Sequence, residues 1–183
     1  MIVSGNKYRR KKANQAGTFT LASGDSLTAA SGSTVTLAGT TNVTGAINVT
    51  GGLTTPVEAL TATEILVAAD SGKLLTLGTA GGFDTKLPAP AAGLHFTFVV
   101  KVAPTTAYTI TTNGTTQNII HGFVNTTDVN SATDPDLTNG TAVDVITFVA
   151  NKAVIGDRVE LVCDGTFWYA MAYATVFDGI TFD

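Results

Sequence analysis

The nine residues from 94 to 102, Leu-His-Phe-Thr-Phe-Val-Val-Lys-Val, restrict the fold more than any other part of the sequence. The side chains at even positions are all apolar, whereas those at odd positions are mixed. In an extended chain successive side chains point to opposite faces, so the apolar set lies on one side. This period-two pattern predicts a β-strand with one buried face, formed by Leu94, Phe96, Phe98, Val100 and Val102.

Threonine makes up more than one residue in six of the chain. Its β-branched side chain with a hydroxyl group fits a half-exposed sheet surface better than it fits a helix. Together with several short apolar runs, this composition predicts an all-β protein. Further strands are predicted at Glu64–Ala69, Lys73–Leu77, Thr85–Leu87, Tyr108–Thr112, Asn118–His121, Asp144–Val149, Arg158–Cys163 and Phe167–Tyr173.

Eight or nine strands separated by polar turns predict an antiparallel, jelly-roll-like β-sandwich. The pair Asp164-Gly165 lies between the last two predicted strands. Because this pair tolerates positive φ, a tight hairpin is predicted there. Pro88 and Pro90 follow Leu87 and end a strand, since proline has no N–H group to donate to a sheet.

The chain divides by composition into three zones, which we call the arm, the stalk and the head. Residues 1–16, the arm, are polar and basic without periodicity, and this predicts a flexible segment. Residues 17–55, the stalk, are rich in Gly, Ser and Thr, with single apolar residues or i, i+2 pairs between them; very short strands broken by turns are predicted. Residues 56–183, the head, contain the longer strands and the predicted β-sandwich.

One copy of the stalk has too few apolar side chains to form a core. Three copies around a common axis would form a continuous buried seam, so we expect the stalk to trimerise. A Gly/Ser/Thr linker is the alternative interpretation. The predicted trimer interface consists of Leu21, Leu27, Val35, Leu37, Val43, Ile47 and Val49.

The net charge of −4 conceals an uneven distribution along the chain. Half of the ten basic residues lie within the first twelve positions, and all fourteen acidic residues follow them. An acidic body with a basic arm favours docking of the arm on an acidic protein surface, where arginine can make bidentate contacts with carboxylates. The residues predicted to dock are Lys7, Tyr8, Arg9, Arg10, Lys11 and Lys12.

The basic arm has two alternative interpretations, a solubilising tail and a nucleic-acid-binding segment. No groove-reading motif follows the arm and the acidic body would repel phosphates, so we expect no nucleic-acid partner. No apolar run of a secretory signal follows it either. No stretch of the chain approaches the roughly 20 apolar residues of a membrane helix, so no membrane association is expected.

The sequence contains few residues that could serve in catalysis or metal binding. There is no Gly-x-Ser-x-Gly motif, and Ser71-Gly72-Lys73 lacks the earlier glycine of a phosphate-binding loop, so a turn is predicted there. His95 and His121 lie in separate predicted strands, and the single cysteine, Cys163, is expected to be a small buried side chain. The acidic stretch 128–140 does not fit a calcium-binding loop, and a solvated loop is favoured. We predict no catalytic residues, no metal site and no cofactor, although an ion on a trimer axis stays open.

Aromatic residues are concentrated after the predicted hairpin. On an alternating strand about half of them face inward, so packing in the core and between trimer subunits is favoured. A sugar-stacking patch is the alternative. The residues concerned are Phe167, Trp168, Tyr169 and Tyr173.

Several segments, residues 60–64 with 69–75, 86–100 and 156–169, resemble the β-sandwich heads of phage capsid decoration, head-fibre and tail-fibre proteins. The most specific is the last, Gly-Asp-x-Val-x-Leu-x-x-Asp-Gly-Thr-x-Trp-Tyr. The resemblance covers most of residues 60–173. It implies a homotrimer in the virion, with an amino-terminal segment attached to the particle and a projecting carboxy-terminal head.

Two functions are compatible with this resemblance. The favoured one is a non-enzymatic capsid decoration (cement) protein, which binds the major capsid protein on the outer surface of the capsid as a trimer and stabilises the shell. The alternative is a tail-fibre or head-fibre module whose head binds host-surface glycans. A polysaccharide depolymerase would need a pair of carboxylates, and no pair stands out in the sequence.

Overall fold

A computed structural model describes Gly52 and residues 54–114, 118–126 and 141–183 of the chain. Within these residues the regular structure consists of eleven strands and one turn of 3₁₀-helix at Ala68–Asp70, with no α-helix. The all-β prediction is therefore confirmed. The strands are β1 (Val57–Leu60), β2 (Glu64–Ile65), β3 (Leu74–Leu77), β4 (Asp84–Lys86), β5 (His95–Val100), β6 (Tyr108–Thr111), β7 (Ile120–Thr126), β8 (Val145–Phe148), β9 (Arg158–Cys163), β10 (Trp168–Ala174) and β11 (Ile180–Phe182).

The strands form two sheets with one apolar core. The six-stranded sheet has the order β1-β3-β5-β9-β10-β7, and the five-stranded sheet has the order β11-β8-β6-β4-β2. Phe98 and Trp168 from the first sheet join the same buried cluster as Tyr108 and Phe148 from the second. Alternate residues of most strands point into this core, as expected for a β-sandwich.

Strand direction corrects the antiparallel prediction. Five of the nine strand pairs are parallel, among them β1 with β3, β3 with β5, and β4 with β6. The reason is the path of the chain: from β1 to β6 it changes sheet at every connection, so neighbours in one sheet are two strands apart in sequence and run the same way. Antiparallel pairing is confined to four pairs, β5 with β9, β9 with β10, β6 with β8, and β8 with β11.

The alternating run that opened the sequence analysis forms β5. Phe96, Phe98 and Val100 are buried in it, whereas Thr97 and Val99 are half-buried on the other face. The strand predicted at Arg158–Cys163 coincides with β9. Both strands have a period-two pattern over six residues, and both were found at or near the predicted positions.

Other strand boundaries differ from the predictions. The strand expected at Glu64–Ala69 ends at Ile65, because the backbone N–H of Val67 donates to Oδ2 of Asp70 at 2.8 Å and the chain turns into the 3₁₀-helix. The strand expected at Asn118–His121 is β7, which extends to Thr126. Strands β1 and β11 were not predicted; they are four and three residues long and lie at sheet edges.

The Gly-Asp pair that begins the most specific part of the family resemblance has a structural role. Asp157 is 1% exposed. Its Oδ2 accepts the N–H of Val154 at 2.9 Å, and its Oδ1 accepts the N–H and the hydroxyl of Thr175, each at 2.9 Å. The buried carboxylate thus connects the turn before β9 to the residue that follows β10.

The Asp-Gly pair of the same motif forms the predicted hairpin between β9 and β10. Gly165 has a φ of 105°, a conformation that favours glycine. The carboxylate of Asp164 accepts the N–H groups of Thr166 and Phe167 at 2.7 and 2.8 Å. The loop therefore contains four residues between Cys163 and Trp168, which are paired across the hairpin.

Several predictions fall on residues that the structure does not describe. These include the whole arm with its six docking residues Lys7–Lys12, the seven stalk positions from Leu21 to Val49, and the acidic stretch 128–140. The trimer, the docking arm and the domain boundaries remain predictions. In the described part of the chain, no helix has the length and apolar character needed to cross a membrane.

Candidate functional site

The outer surface of β7, β9 and β10 carries a group of exposed apolar side chains, which we call the apolar face. Its members are Phe123, Val162, Tyr169 and Met171, with exposed fractions of 42%, 53%, 47% and 40%. Single exposed apolar residues are common on soluble proteins, whereas contiguous patches mark interaction surfaces. The apolar face is therefore the strongest candidate for a binding surface on the head.

Strand register brings these side chains together. Met171 of β10 is paired with Phe123 of β7 and with Glu160 of β9. Two residues earlier on β10, Tyr169 is paired with His121 and Val162 on the same two neighbours. Two adjacent rows of three side chains result, because residues i and i+2 of a strand share one face.

A groove of about 380 Å³ lies on the apolar face. This volume is within the range of roughly 300 to 1,000 Å³ that is typical of ligand pockets. Its lining contains few polar side chains. Besides the four members of the apolar face, it is lined by His121, Gly122, Glu160 and Ala170.

Three rings form one end of this surface. The imidazole of His121 lies 6.3 Å from the ring of Tyr169, centroid to centroid, with 23° between the planes. It also contacts Phe167 edge to face, at 5.1 Å and 67°. Aromatic pairs in these arrangements are mutually stabilising, so the rings are held in place by one another.

The carboxylate of Asp164 fixes the position of the Tyr169 hydroxyl, which donates to Oδ2 at 2.9 Å. The backbone N–H groups of Phe167 and Thr166, together with this hydroxyl, lower the pKa of Asp164 below its ordinary value. The same hydrogen bond stabilises the protonated phenol of Tyr169 and therefore raises its pKa above the ordinary value. At neutral pH the end of the groove therefore carries a carboxylate and a neutral phenol.

A charged pair lies at the other end of the same strands. Arg158 and Glu160, both on β9, form an ion pair with an N–O distance of 3.2 Å. The guanidinium of Arg158 also lies 4.4 Å from the ring centroid of Tyr173. Cation–π contact and ion pairing together hold the arginine beside the apolar face.

The outer surface of the five-stranded sheet has a different character, and we call it the threonine face. Its two central rows contain Thr109, Thr111, Thr147 and Asp84. Oδ1 of Asp84 accepts the hydroxyls of Thr109 and Thr111, each at 2.9 Å. A second groove of about 290 Å³ lies here, lined by Asp84, Lys86, Thr111, Thr112, Gly114, Asp144 and Val145.

The histidines and the cysteine, which were considered as metal ligands or catalytic groups, lie on three separate strands of the head. His95 and His121 lie on β5 and β7 of the six-stranded sheet, with β9 and β10 between them. Cys163 is 2% exposed and belongs to the core, as predicted. Among the described residues, no group of three or more His, Cys, Asp or Glu side chains is arranged to hold a metal ion.

The segment Ser71-Gly72-Lys73 forms the predicted turn between the 3₁₀-helix and β3. Gly72 has a φ of 86°. The ammonium of Lys73 binds Oδ1 of Asp70 at 2.6 Å and Oε2 of Glu58 at 2.8 Å. Its charge is thus paired within the head.

The four aromatic residues after the hairpin divide between core and surface. Trp168 is fully buried and packs against Phe96, with ring centroids 5.8 Å apart, so core packing is confirmed for it. Tyr169, on the opposite side of β10, is 47% exposed. Packing of these aromatic residues between trimer subunits remains a prediction.

Three members of the apolar face were missed by the sequence analysis, namely Phe123, Val162 and Met171. The sequence of β9 contains one indication of this face. Val162 is apolar, although it lies on the opposite side of the strand from the buried residues Val159, Leu161 and Cys163. An apolar residue at an outward position of an alternating strand marks a surface that differs from ordinary solvent-facing sheet.

No protein-family model and no curated protein matches the chain.

Proposed function

We propose that this chain is a non-enzymatic structural protein of a phage particle, a decoration protein that binds the outer surface of the capsid as a homotrimer. The observation that carries the proposal is the division of charge: five of the ten basic residues stand in the first twelve positions, and all fourteen acidic residues follow. Such a chain can bind an acidic shell by its arm while the acidic head stays away from it. The resemblance of residues 60–173 to virion surface heads supports the same function.

The arm would bind the major capsid protein through ion pairs and hydrogen bonds. Arg9 and Arg10 can each make bidentate contacts with carboxylates, and Lys7, Lys11 and Lys12 add attraction at longer range. A single exposed ion pair contributes only about 0–1 kcal/mol, so several must act together. Three arms on one trimer multiply the effect, because binding of the first raises the effective concentration of the others.

The head fits a role as a stable, projecting module. Its core includes several fully buried aromatic side chains, Phe96, Phe98, Tyr108, Phe148 and Trp168. A buried carboxylate, Asp157, and the Asp164 turn stabilise the connections at the two ends of β9.

Deletion of residues 1–16 tests the proposal. The truncated chain is expected to remain a folded trimer by light scattering and circular dichroism, but no longer to co-sediment with capsids. Undiminished capsid binding by the truncated trimer would contradict the proposal.

A charge-reversal pair separates the arm from general charge effects. The double variant R9E/R10E should lose capsid binding and its dependence on salt concentration, because attraction becomes repulsion. The matched control K101E/K152E makes the same change in net charge on the head, where both lysines are exposed. Equal loss of binding in both variants would contradict a specific role for the arm.

Binding of host-surface glycans is the second candidate. The observation in its favour is the exposed ring of Tyr169 beside His121, with a carboxylate from Asp164 at its hydroxyl. If this function is correct, the full chain binds components of a glycan array and Y169A abolishes that binding. An array without any bound glycan would count against it.

A further inference from the structure

The outer surface of the six-stranded sheet already holds one cation against an aromatic ring. Arg158 of β9 is paired in register with Tyr173 of β10, and its guanidinium lies 4.4 Å from the centroid of that ring. The Nε atom of the same arginine lies 3.2 Å from Oε1 of Glu160. The guanidinium therefore contacts an aromatic ring and a carboxylate, two kinds of group that attract it.

A ring and a carboxylate recur four residues closer to the hairpin, but without a cation. The hydroxyl of Tyr169 donates to Oδ2 of Asp164 at 2.9 Å, and the register partner of Tyr169 on β9 is Val162 instead of an arginine. Within the described part of the chain, Asp164 forms no ion pair. The hydrogen bonds that it accepts lower the pKa of its carboxyl group, so its negative charge is present at neutral pH.

Two further rings lie beside this carboxylate and the ring of Tyr169. The ring of His121 is stacked on that of Tyr169 with 23° between the planes, and Phe167 contacts the imidazole edge to face. Tyr169 nevertheless remains 47% exposed. Proteins use groups of aromatic rings to bind organic cations, and a guanidinium is flat and weakly hydrated enough to stack on them. This end of the groove is therefore suited to a guanidinium from outside the chain.

The adjoining part of the groove is apolar. Met171 lies two residues after Tyr169 on the same face of β10, and Phe123 is its register partner on β7. Alternate residues of a strand are about 7 Å apart, which is also the spacing of alternate side chains in any other extended peptide. A peptide that places a guanidinium at Tyr169 can therefore place an apolar side chain on Met171. Such a group suits this lining better than the hydroxyl groups of a sugar, which would lose their hydrogen bonds to water.

We infer that the groove of the apolar face binds an arginine of a partner protein. The guanidinium lies against Tyr169 and Asp164, and an apolar side chain two residues away in the same extended segment lies against Phe123 and Met171. The charge of the chain favours a basic segment, since only five basic residues but all fourteen acidic ones follow position 12. The inference requires neither the capsid nor the trimer, because these four side chains belong to one chain.

A titration with two short peptides tests the site in the full-length protein. The probe is the blocked tripeptide arginine-alanine-leucine, and its control contains citrulline, which has nearly the shape of arginine without the charge. In nuclear magnetic resonance spectra, the ring signals of His121 and Tyr169 should shift to saturation with the arginine peptide. The citrulline peptide should bind about tenfold more weakly, because it loses the cation–π contact and the ion pair.

Two substitutions distinguish the contributions of the ring and the carboxylate. Y169L removes the ring, and D164N removes the charge while its side chain can still accept the backbone N–H groups of the turn. Each variant should bind the arginine peptide more weakly and the citrulline peptide as before. The matched control D84N makes the same change in net charge on the threonine face and should leave both affinities unchanged.

Three results would overturn the inference. Equal binding of the two peptides, or binding of neither, excludes a site for a guanidinium. An equal loss of binding in D84N and D164N means that the peptide responds only to the total charge. Binding of the arginine peptide by R9E/R10E but not by the unmodified chain means that the arm of this chain, and not a partner protein, fills the groove. Capsid binding is measured separately, so none of these results decides the proposed decoration function.

Discussion

The two outer faces of the head are both made from strands, yet their side chains differ in character. On the threonine face, hydroxyl groups of Thr109 and Thr111 donate to Asp84, so much of the polar surface is satisfied by neighbouring strands. On the apolar face, four large apolar side chains are between 40% and 53% exposed. One sheet therefore presents a largely hydrogen-bonded polar surface, and the other presents an apolar surface of the kind that marks interaction sites.

The largest effect is expected from two neighbouring residues on β10 that point to opposite sides. Trp168→Ala removes a fully buried ring and should lower the free energy of unfolding by about 3–5 kcal/mol. Tyr169→Ala removes a ring from the apolar face and should change the stability of the isolated head, residues 56–183, by less than about 1 kcal/mol. Urea denaturation of both variants measures the difference. A cost for Tyr169→Ala as large as that for Trp168→Ala would mean that the apolar face belongs to the core.

A smaller effect is expected on the threonine face. Asp84→Ala removes the acceptor for two threonine hydroxyls and should cost about 1–3 kcal/mol. Asp84→Asn keeps one acceptor oxygen and should cost less. Thr147, in the same row, serves as a control, because Thr147→Val keeps the β-branched shape. Equal stability of Asp84→Ala and the wild type in urea would show that these hydrogen bonds do not stabilise the face.

The smallest effect concerns pH at the end of the apolar face. Because the folded-state pKa of Asp164 is lowered, its stabilising contribution is complete above its ordinary value of about 4 and is lost as the pH falls through the lowered pKa. Asp164→Asn can still accept the two backbone N–H groups but does not titrate. The loss of stability between about pH 6 and about pH 3 should therefore be smaller in Asp164→Asn than in the wild type. An identical loss in both proteins would contradict the hydrogen-bonded carboxylate described above.

Much of the fold could be predicted from the sequence because burial follows alternation. Phe96, Phe98 and Val100 identified β5, and Val159 and Leu161 identified β9, since each set repeats every two residues. Alternation says which face is buried but not which sheet the strand belongs to or which way its neighbour runs. Parallel pairing therefore could not be predicted from the pattern, whereas the β9–β10 hairpin could, because Asp164-Gly165 specifies it locally.

The candidate site was predicted less well than the fold. Tyr169 could be identified from the sequence as a candidate surface residue because it is aromatic. Phe123 and Val162, which lie beside it on the apolar face, come from other strands, and only the strand register brings them together. Tyr169 and Val162 also look like ordinary core residues in the sequence. Their outward direction becomes apparent only when Trp168 and Leu161, one position away, are found in the core.

The central claim, that the chain decorates the outside of a capsid as a trimer, is tested most directly by an image reconstruction of the intact particle. The account predicts three heads around a three-fold axis on the outer capsid surface, with the arms in contact with the major capsid protein. Density for the heads on the tail alone, or as single copies without three-fold symmetry, would contradict it.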